Sequence, residues 1–407
     1  MGNAYPDAFA ETDQWGKRMT TDRLGIKVGV QIRPDHHSKS GGDIALAKAF
    51  SQRLRQFGFE SALLSAPKQV EDFQPRLLIA FNLDQPLELL GMCGAAKQCG
   101  AEVAVYTLHH PREGMRAYLR SGLPGMRGWI ARFLGNDPAR YIFATALFRC
   151  YRRRDVNALM HMLLGRKRLI CNLVPLIDEL LVSGPSELAA IQSEIPALCN
   201  TSALVIPHPV DFPVVDMPDL NPYEEGLWRR HFLVAGRIES RKNQNAVLRV
   251  AAQIPDSEFV FAGIPNDSDP AYCAEFRQLL AAAPNCRWLG QLSMAALLQH
   301  IACADAVVSP SWFEVMSLIN LYAYALGTPV ISGLHTFDPD LVPDGVIRYD
   351  PEKPQALVDI LASSAARPKV DPRAAAASNR VKEFSASTWA GFDNFSLCVS
   401  ERLSAKS

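Results

Sequence analysis

The feature that most constrains the fold is a series of short apolar runs that recur along the chain with helical segments between them. A strand covered on one face alternates apolar and polar residues, whereas one covered on both faces is apolar throughout. The runs are IKVGVQI (26–32), ESALLSA (60–66), RLLIAF (76–81), AEVAVYTL (101–108), LLVSG (180–184) and ALVIP (203–207); RLLIAF and AEVAVYTL are of the second kind, and LLVSG and ALVIP continue the pattern. The first run, IKVGVQI, is followed by a polar loop ending in Ser40-Gly41-Gly42, then by DIALAKAFSQRLRQFG (43–58), with apolar residues at helical spacing and a glycine stop. Strand, glycine-bearing loop, helix and strand make one βαβ unit.

The rhythm restarts after a proline-rich stretch, HPVDFPVVDMPDLNPY (208–223), the best candidate for a linker. HFLVAG (231–236), SEFVFAG (257–263), CRWLG (286–290), DAVVSP (305–310) and TPVISG (328–333) read as strands, with helices around 243–253, 271–282, 294–303 and 317–326. A length of 407 residues suits two domains. The expected fold class is α/β: two doubly wound, Rossmann-like domains facing an interdomain cleft, where ligands bind beyond the carboxyl ends of the strands. The expected division is a lead-in over 1–24, a first domain over 25–212, a second over 213–385 and a C-terminal helix over 386–407, built around STWAGFDNFSLCVSERL (387–403).

Nine cysteines without a C-x-x-C pair, and no histidine cluster at ligand spacing, give no zinc site and point to reduced thiols in a cytoplasmic compartment. The first twenty residues are polar and lack the apolar core of a secretory signal. No apolar run reaches the roughly 20 residues of a membrane span, so any membrane contact is expected to be peripheral. A formal charge of zero argues against nucleic acid as a partner.

The chemistry concentrates in the second half. Gly236-Arg237-Ile238-Glu239-Ser240-Arg241-Lys242-Asn243-Gln244 stands where a strand gives way to a helix. Glycine there allows close backbone approach, and Arg237 and Lys242 put two positive charges at the positive end of a helix, a place suited to a diphosphate. A solvated charged loop would read the same way in isolation. Further on comes Pro310-Ser311-Trp312-Phe313-Glu314, again between strand and helix, with a carboxylate in an apolar loop that is costly to place without a partner. Helix-start placement alone would also favour Glu314.

Together these segments resemble the retaining GT-B glycosyltransferases of family four, the glycosyltransferase group 1 family. The motifs are Gly236-Arg237 with Lys242-Asn243, Pro310-Ser311 with Glu314, and Ala323 followed by Gly327-Thr328-Pro329-Val330-Ile331, in the family's order and spacing. The resemblance covers about 180–345 well and the first 110 residues weakly. It implies that Arg237 and Lys242 hold a donor diphosphate and that Glu314 binds hydroxyls of the transferred sugar. It also implies that the backbone amides of Met316, Ser317 and Leu318 face phosphate. Ser183 and Glu187 match the family's Ser-x-x-Glu, and Ile206-Pro207-His208-Pro209-Val210-Asp211 matches its Pro-Asn-Gly-Val-Asp turn with His-Pro for Asn-Gly. A plain domain junction explains that turn equally, and is the preferred reading.

Two positions depart from the family. Tyr322 stands where a second glutamate grips the ribose hydroxyls, and a phenol offers fewer acceptors than a carboxylate. Val315-Met316-Ser317 replaces Gly-Phe-Gly, placing side chains where bare backbone would meet phosphate.

In the first half the resemblance gives Gly41 and Gly42 a place near the donor phosphates, at a helix start that attracts anions. It also places a histidine near the reacting sugar. His109 is preferred over His110, each following the run AEVAVYTL, although a histidine capping the strand end would look the same. Residues 111–170 hold thirteen Lys/Arg against three acids, so this segment is net +10 and the rest of the chain net −10. Aromatic and apolar residues lie between the arginines, a composition suited to an anionic membrane surface through 112–168, to a solvated helical face or, less well, to nucleic acid.

The expected function is therefore transfer of a sugar from a UDP- or GDP-linked co-substrate to a glycan or lipid-linked acceptor, with retention, in cell-surface polysaccharide or lipopolysaccharide assembly. No metal and no cofactor are expected. The catalytic candidates are His109 and Glu314; the donor-binding candidates are Gly41, Gly42, Arg237, Lys242, Met316, Ser317, Leu318 and Tyr322. The alternative is a degenerate GT-B chain that binds a nucleotide sugar or a partner without catalysis, and a third possibility keeps the fold but epimerises or hydrolyses the sugar nucleotide.

Overall fold

The computed structural model describes residues 25–34, 36, 41–153, 156–212, 229–342, 344, 346–365, 375 and 378–405, with 146–164 and 338 given by backbone alone. The lead-in over 1–24 and the proline-rich stretch from 213 onward lie outside the described residues.

Two six-stranded, all-parallel sheets form the frame. The first contains β1 (Lys27–Gln31), β2 (Glu60–Leu64), β3 (Leu77–Phe81), β4 (Glu102–Tyr106), β5 (Glu179–Val182) and β6 (Ser202–Val205), in the order β2-β1-β3-β4-β5-β6. The second contains β7 (Arg230–Ala235), β8 (Ser257–Ala262), β9 (Cys286–Trp288), β10 (Ala306–Ser309), β11 (Val330–Gly333) and β12 (Val346–Tyr349), in the order β12-β11-β10-β7-β8-β9. The last of these is absent from the strands read off the sequence. Its four residues, VIRY, form an edge and carry one arginine, too short and too mixed a run to stand out.

Both faces of each sheet are covered at its centre, which is why central strands such as β3 and β10 are buried along their whole length. In β3, Leu77, Ile79 and Phe81 enter one core layer while Leu78 and Ala80 enter the layer on the opposite face. Phe232 and Val234 of β7 likewise face one layer and Leu233 the other. Strand order reverses between β1 and β3 in the first sheet and between β7 and β10 in the second, so each sheet has a crevice at its carboxyl edge there.

The last helix, Asn379–Ser404, begins earlier than the 387–403 stretch singled out in the sequence and serves both halves. Its first turns place Val381 and Phe384 in a core layer of the second sheet. Its later turns carry Trp389, Phe392, Phe395, Val399 and Leu403 into the first sheet's core, where the Phe392 ring stacks on Phe50 at 4.0 Å. Val210 N donates to Thr388 Oγ1 at 3.1 Å and Trp389 Nε1 donates to Asp211 Oδ1 at 2.7 Å, so the outgoing chain is tied to the returning helix.

Candidate functional site

The winding reversal of the second sheet brings the loops after β7 and β10 side by side. Gly236 follows β7 with φ 146°, a conformation open to glycine, and its carbonyl packs so tightly on the next loop that a Cβ on Gly263 would lie 2.0 Å from it. The backbone then enters a 3-10 turn, Ser240–Lys242, and Asn243, in the left-handed region, opens the helix Gln244–Ala251. Across the crevice, Trp312 N donates to Arg241 O at 2.9 Å and Glu314 N to His335 O at 3.0 Å, fixing the loop that carries Glu314.

Glu314 is buried and held by two cations: Lys242 Nζ is 2.6 Å from Oε1, and Arg241 Nη1 donates to Oε2 at 2.8 Å. Burial alone would push its carboxyl upward, but Arg241 and Lys242 outweigh that and hold it far below the usual carboxylate range. Arg241 also donates to Phe313 O at 3.2 Å and pairs with Glu239 at 3.0 Å. Burial disfavours its charge, yet Glu314 and Glu239 raise its pKa further above the ordinary guanidinium value. Arg237, half exposed, lies 3.9 Å from Glu239. Arg237, Arg241 and Lys242 thus face Glu239 and Glu314, an excess of one positive charge.

Arg241 is the member that sequence reasoning left without a role. It lies between Glu239 and Lys242 in the run, and only a buried acid on a loop some seventy residues away makes it the fixed partner.

Two helix starts meet at this crevice. Met316 and Ser317, both buried, lead into the helix Leu318–Ala325, with Ser317 at its N-cap. In the first domain Gly41 is the N-cap of the helix Gly42–Gln56, and a Cβ on Gly42 would lie 3.8 Å from Leu318 Cδ1. The first amides of a helix lack intrahelical acceptors and carry partial positive charge. Gly41, Gly42, Ser317 and Leu318 therefore place two such termini, from different domains, against one another. Tyr322 sits a turn along the second of these helices, its ring against Phe212 at 5.2 Å and its hydroxyl 3.5 Å from Asp211 O, facing the domain junction.

The first domain contributes a charged network. His109 Nδ1 lies 3.1 Å from Asp84 and its Nε2 lies 2.7 Å from Glu194, so both ring nitrogens face carboxylates. Burial works against its charge, but these bonds prevail and raise its pKa to about 9, making it an imidazolium at neutral pH. Asp84, pushed upward by burial, is held well below its ordinary value by His109 and His110. His109 N also donates to Glu187, which takes Ser183 N, Ser183 Oγ and Thr107 Oγ1 as further donors. The Ser183 and Glu187 pair thus braces the loop after β4. His110 points the other way: Nδ1 is 2.9 Å from Asp84 and the ring meets Phe313 of the second domain edge-on at 5.4 Å. Asp84, Glu194 and their partners were not legible as a set, since Asp84 and the histidines come from the loops after β3 and β4 and Glu194 from the end of the helix Pro185–Glu194.

A strap from the first domain closes over the Trp312-Phe313 loop. It comprises the helix Arg112–Ala117 and a π-helical turn, Tyr118–Gly122. Gly114 is packed so closely that a Cβ would lie 2.6 Å from Phe313 Cβ and 2.9 Å from Trp312 O. Tyr118 and Ser240 share a 2.6 Å hydroxyl contact, Ser121 Oγ donates to Glu352 at 2.7 Å beside the Arg120–Glu352 pair, and Arg127 reaches Asp269 at 3.1 Å.

Residues 224–381 match the family model described as glycosyl transferases group 1. A curated relative, the D-inositol 3-phosphate glycosyltransferase of Mycobacterium sp. (strain JLS), is 32% identical over 33% of this chain and 33% of its own length. Its counterpart in Mycobacterium leprae (strain TN) is 33% identical over 27% of each chain. The chain thus matches about a third or less of the length of these relatives. Nearly the whole chain is similar in fold to sucrose-phosphate synthase from Thermosynechococcus elongatus, with TM-score 0.61 and 14% identity over 95% of this chain and 100% of that one. Anabaena HepE in complex with UDP gives TM-score 0.58 and 15% identity over 93% and 99%. The lipopolysaccharide outer core galactosyltransferase WaaB gives 0.53 and 12% over 90% and 98%. The fold is GT-B, and the family match lies in the half that carries Arg237, Lys242 and Glu314.

Proposed function

We propose that this chain is a glycosyltransferase that moves a sugar from a nucleotide-sugar donor to a glycan or lipid-linked acceptor with retention, in cell-surface polysaccharide or lipopolysaccharide assembly. The observation that carries the reading is the meeting of Lys242, Arg237, Glu314 and two helix N-termini at the winding reversal of the second sheet. Such a set favours an anion whose charge grows as the sugar departs, and it does so with donors already in place.

In this reading a UDP- or GDP-linked donor places its diphosphate between Arg237, Lys242 and the amides of Met316, Ser317 and Leu318, with the Gly41-Gly42 helix start closing from the opposite domain. No metal is required, since these groups supply the positive charge. HepE, a fold neighbour, binds UDP, which makes UDP-sugars the first probes. Lys242 turns from Glu314 Oε1 to phosphate, and Glu314 then offers that oxygen to sugar hydroxyls while Arg241 keeps hold of Oε2. His109, engaged on both sides, is a positioning group that fixes the loop; His110, against Phe313, is the histidine that meets the sugar. The acceptor hydroxyl approaches from the first domain's crevice, lined by Gln31, Arg33, Asn82 and Gln85. The bond from the anomeric carbon to the leaving phosphate oxygen breaks, the bond to the acceptor oxygen forms on the same face, and the acceptor proton passes to the departing phosphate.

A second reading, a degenerate chain that binds without turnover, draws on Tyr322, whose hydroxyl is turned toward Asp211. Calorimetric titration with UDP- and GDP-sugars separates the two. Binding that weakens at least tenfold in Arg237→Ala and Lys242→Ala, together with sugar transfer to an acceptor, supports transfer. Binding without transfer to any acceptor, or no binding to any nucleotide sugar, leaves the second reading. Release of free or epimerised sugar without acceptor would mean hydrolysis or epimerisation instead.

A further inference from the structure

Beyond the strap, the chain forms the helix Gly125–Phe133, and its packing is inverted relative to an ordinary surface helix. Gly128 and Ala131 face inward, and a Cβ on Gly128 would lie 2.4 Å from Leu123 O. The large apolar side chains face out: Met126 is 77% exposed, Trp129 74% and Phe133 89%, with Ile130 beside them. Their spacing of three, four and seven residues puts all four on one stripe. Ile142 and Phe143, exposed on the next helix, Pro138–Arg153, add to the apolar residues that this part of the first domain leaves uncovered. Contiguous exposed apolar area of this kind marks an interaction site.

The charge around the stripe selects the partner. Residues 111–145 carry six arginines against Glu113 and Asp137. Arg116, Arg132 and Arg140 are exposed, and no carboxylate among the described residues forms an ion pair with them. Among the described residues no helix is long and apolar enough to cross a membrane. A helix that shows aromatic and aliphatic residues on one face, flanked by guanidinium groups able to reach phosphates, fits the boundary layer of an anionic bilayer.

We propose that the stripe Met126, Trp129, Ile130 and Phe133 inserts into the headgroup layer of an anionic membrane, with Arg132 and Arg140 on lipid phosphates. The inference rests on this surface alone and not on the transfer reaction. Docked this way, the membrane-facing helix packs on the π-helical turn of the strap that covers Trp312-Phe313.

Flotation of the full chain with neutral phosphatidylcholine vesicles and with vesicles containing 30% phosphatidylglycerol tests this. The expected result is at least tenfold greater partitioning to the anionic vesicles, lost at least tenfold in Trp129→Ser/Phe133→Ser and reduced severalfold in Arg132→Glu/Arg140→Glu. Phe133→Trp retains binding, which guards against a misfolding explanation. Absence of wild-type flotation, or flotation that the substitutions leave unchanged, overturns the proposal. So does concentration-dependent dimerisation abolished by Trp129→Ser/Phe133→Ser without vesicle binding, which would make the occupant a second copy.

Discussion

Lys242 Nζ and Glu314 Oε1 lie 2.6 Å apart across the junction of two loops, while Arg241 occupies the other carboxylate oxygen. The carboxylate is held by one guanidinium fixed by further bonds and by one ammonium at the end of a long side chain.

Truncating Glu314 should therefore cost stability as well as function. Glu314→Ala leaves Arg241 and Lys242 partly buried beside an unfilled site, and removing one member of a buried pair costs about 3 kcal/mol or more. Urea unfolding of Glu314→Ala, alone and combined with Lys242→Met, measures it, with partial recovery expected in the double variant. A wild-type midpoint in Glu314→Ala would show that the pairing contributes nothing.

The histidine network predicts a pH dependence. His109 binds its proton more tightly folded, with a pKa of about 9 against about 6.5 unfolded. Its contribution is complete below pH 6.5 and is lost as pH rises to about 9, by up to roughly 3 kcal/mol. The unfolding free energy of wild type should fall across that window more than that of His109→Gln. Parallel profiles would mean the ring is not charged.

Gly114→Val should lift the strap, since two of the three close neighbours of the new carbon are Cβ atoms and the third is backbone oxygen. A larger radius of gyration in solution scattering and a turnover at least tenfold lower are expected, with each domain still folded. Unchanged scattering with unchanged turnover would show that the strap yields locally.

Phe392→Ala should lower stability by about 3–5 kcal/mol, the usual cost of removing a fully buried aromatic ring. Phe392 is fully buried in the first domain's core although it belongs to the last helix, so the loss appears in the first domain's unfolding. Selective loss of second-domain signal would contradict that placement.

The strands, their parallel pairing and the two-domain plan were legible because residues such as Leu77 to Phe81 face two cores and leave an uninterrupted apolar run. The Gly236 turn and the Glu314 loop were legible from residue type next to a strand end. Pairings across loops were not. Nothing in the run at 237–244 distinguishes Arg241, which anchors Glu314, from Lys242, because that difference arises from Glu239 and Phe313 O meeting one guanidinium. His109 and His110 are adjacent and chemically identical in sequence, and their different surroundings come from remote residues: Glu194 at the end of a helix meets His109, Phe313 of the second domain meets His110, and Asp84 bonds both. The expected C-terminal helix over 386–407 could not reveal its reach, since Val381 and Phe384 serve a different core from Phe392.

The ties from Val210 to Thr388 and from Asp211 to Trp389 join two passages of chain that run between the halves. A lone connecting strand would let one half swivel about a single bond, whereas a two-ply spine resists torsion and leaves bending as the soft motion. Any opening of the halves would then have to proceed as bending about this junction, which would keep the walls of the crevice in register.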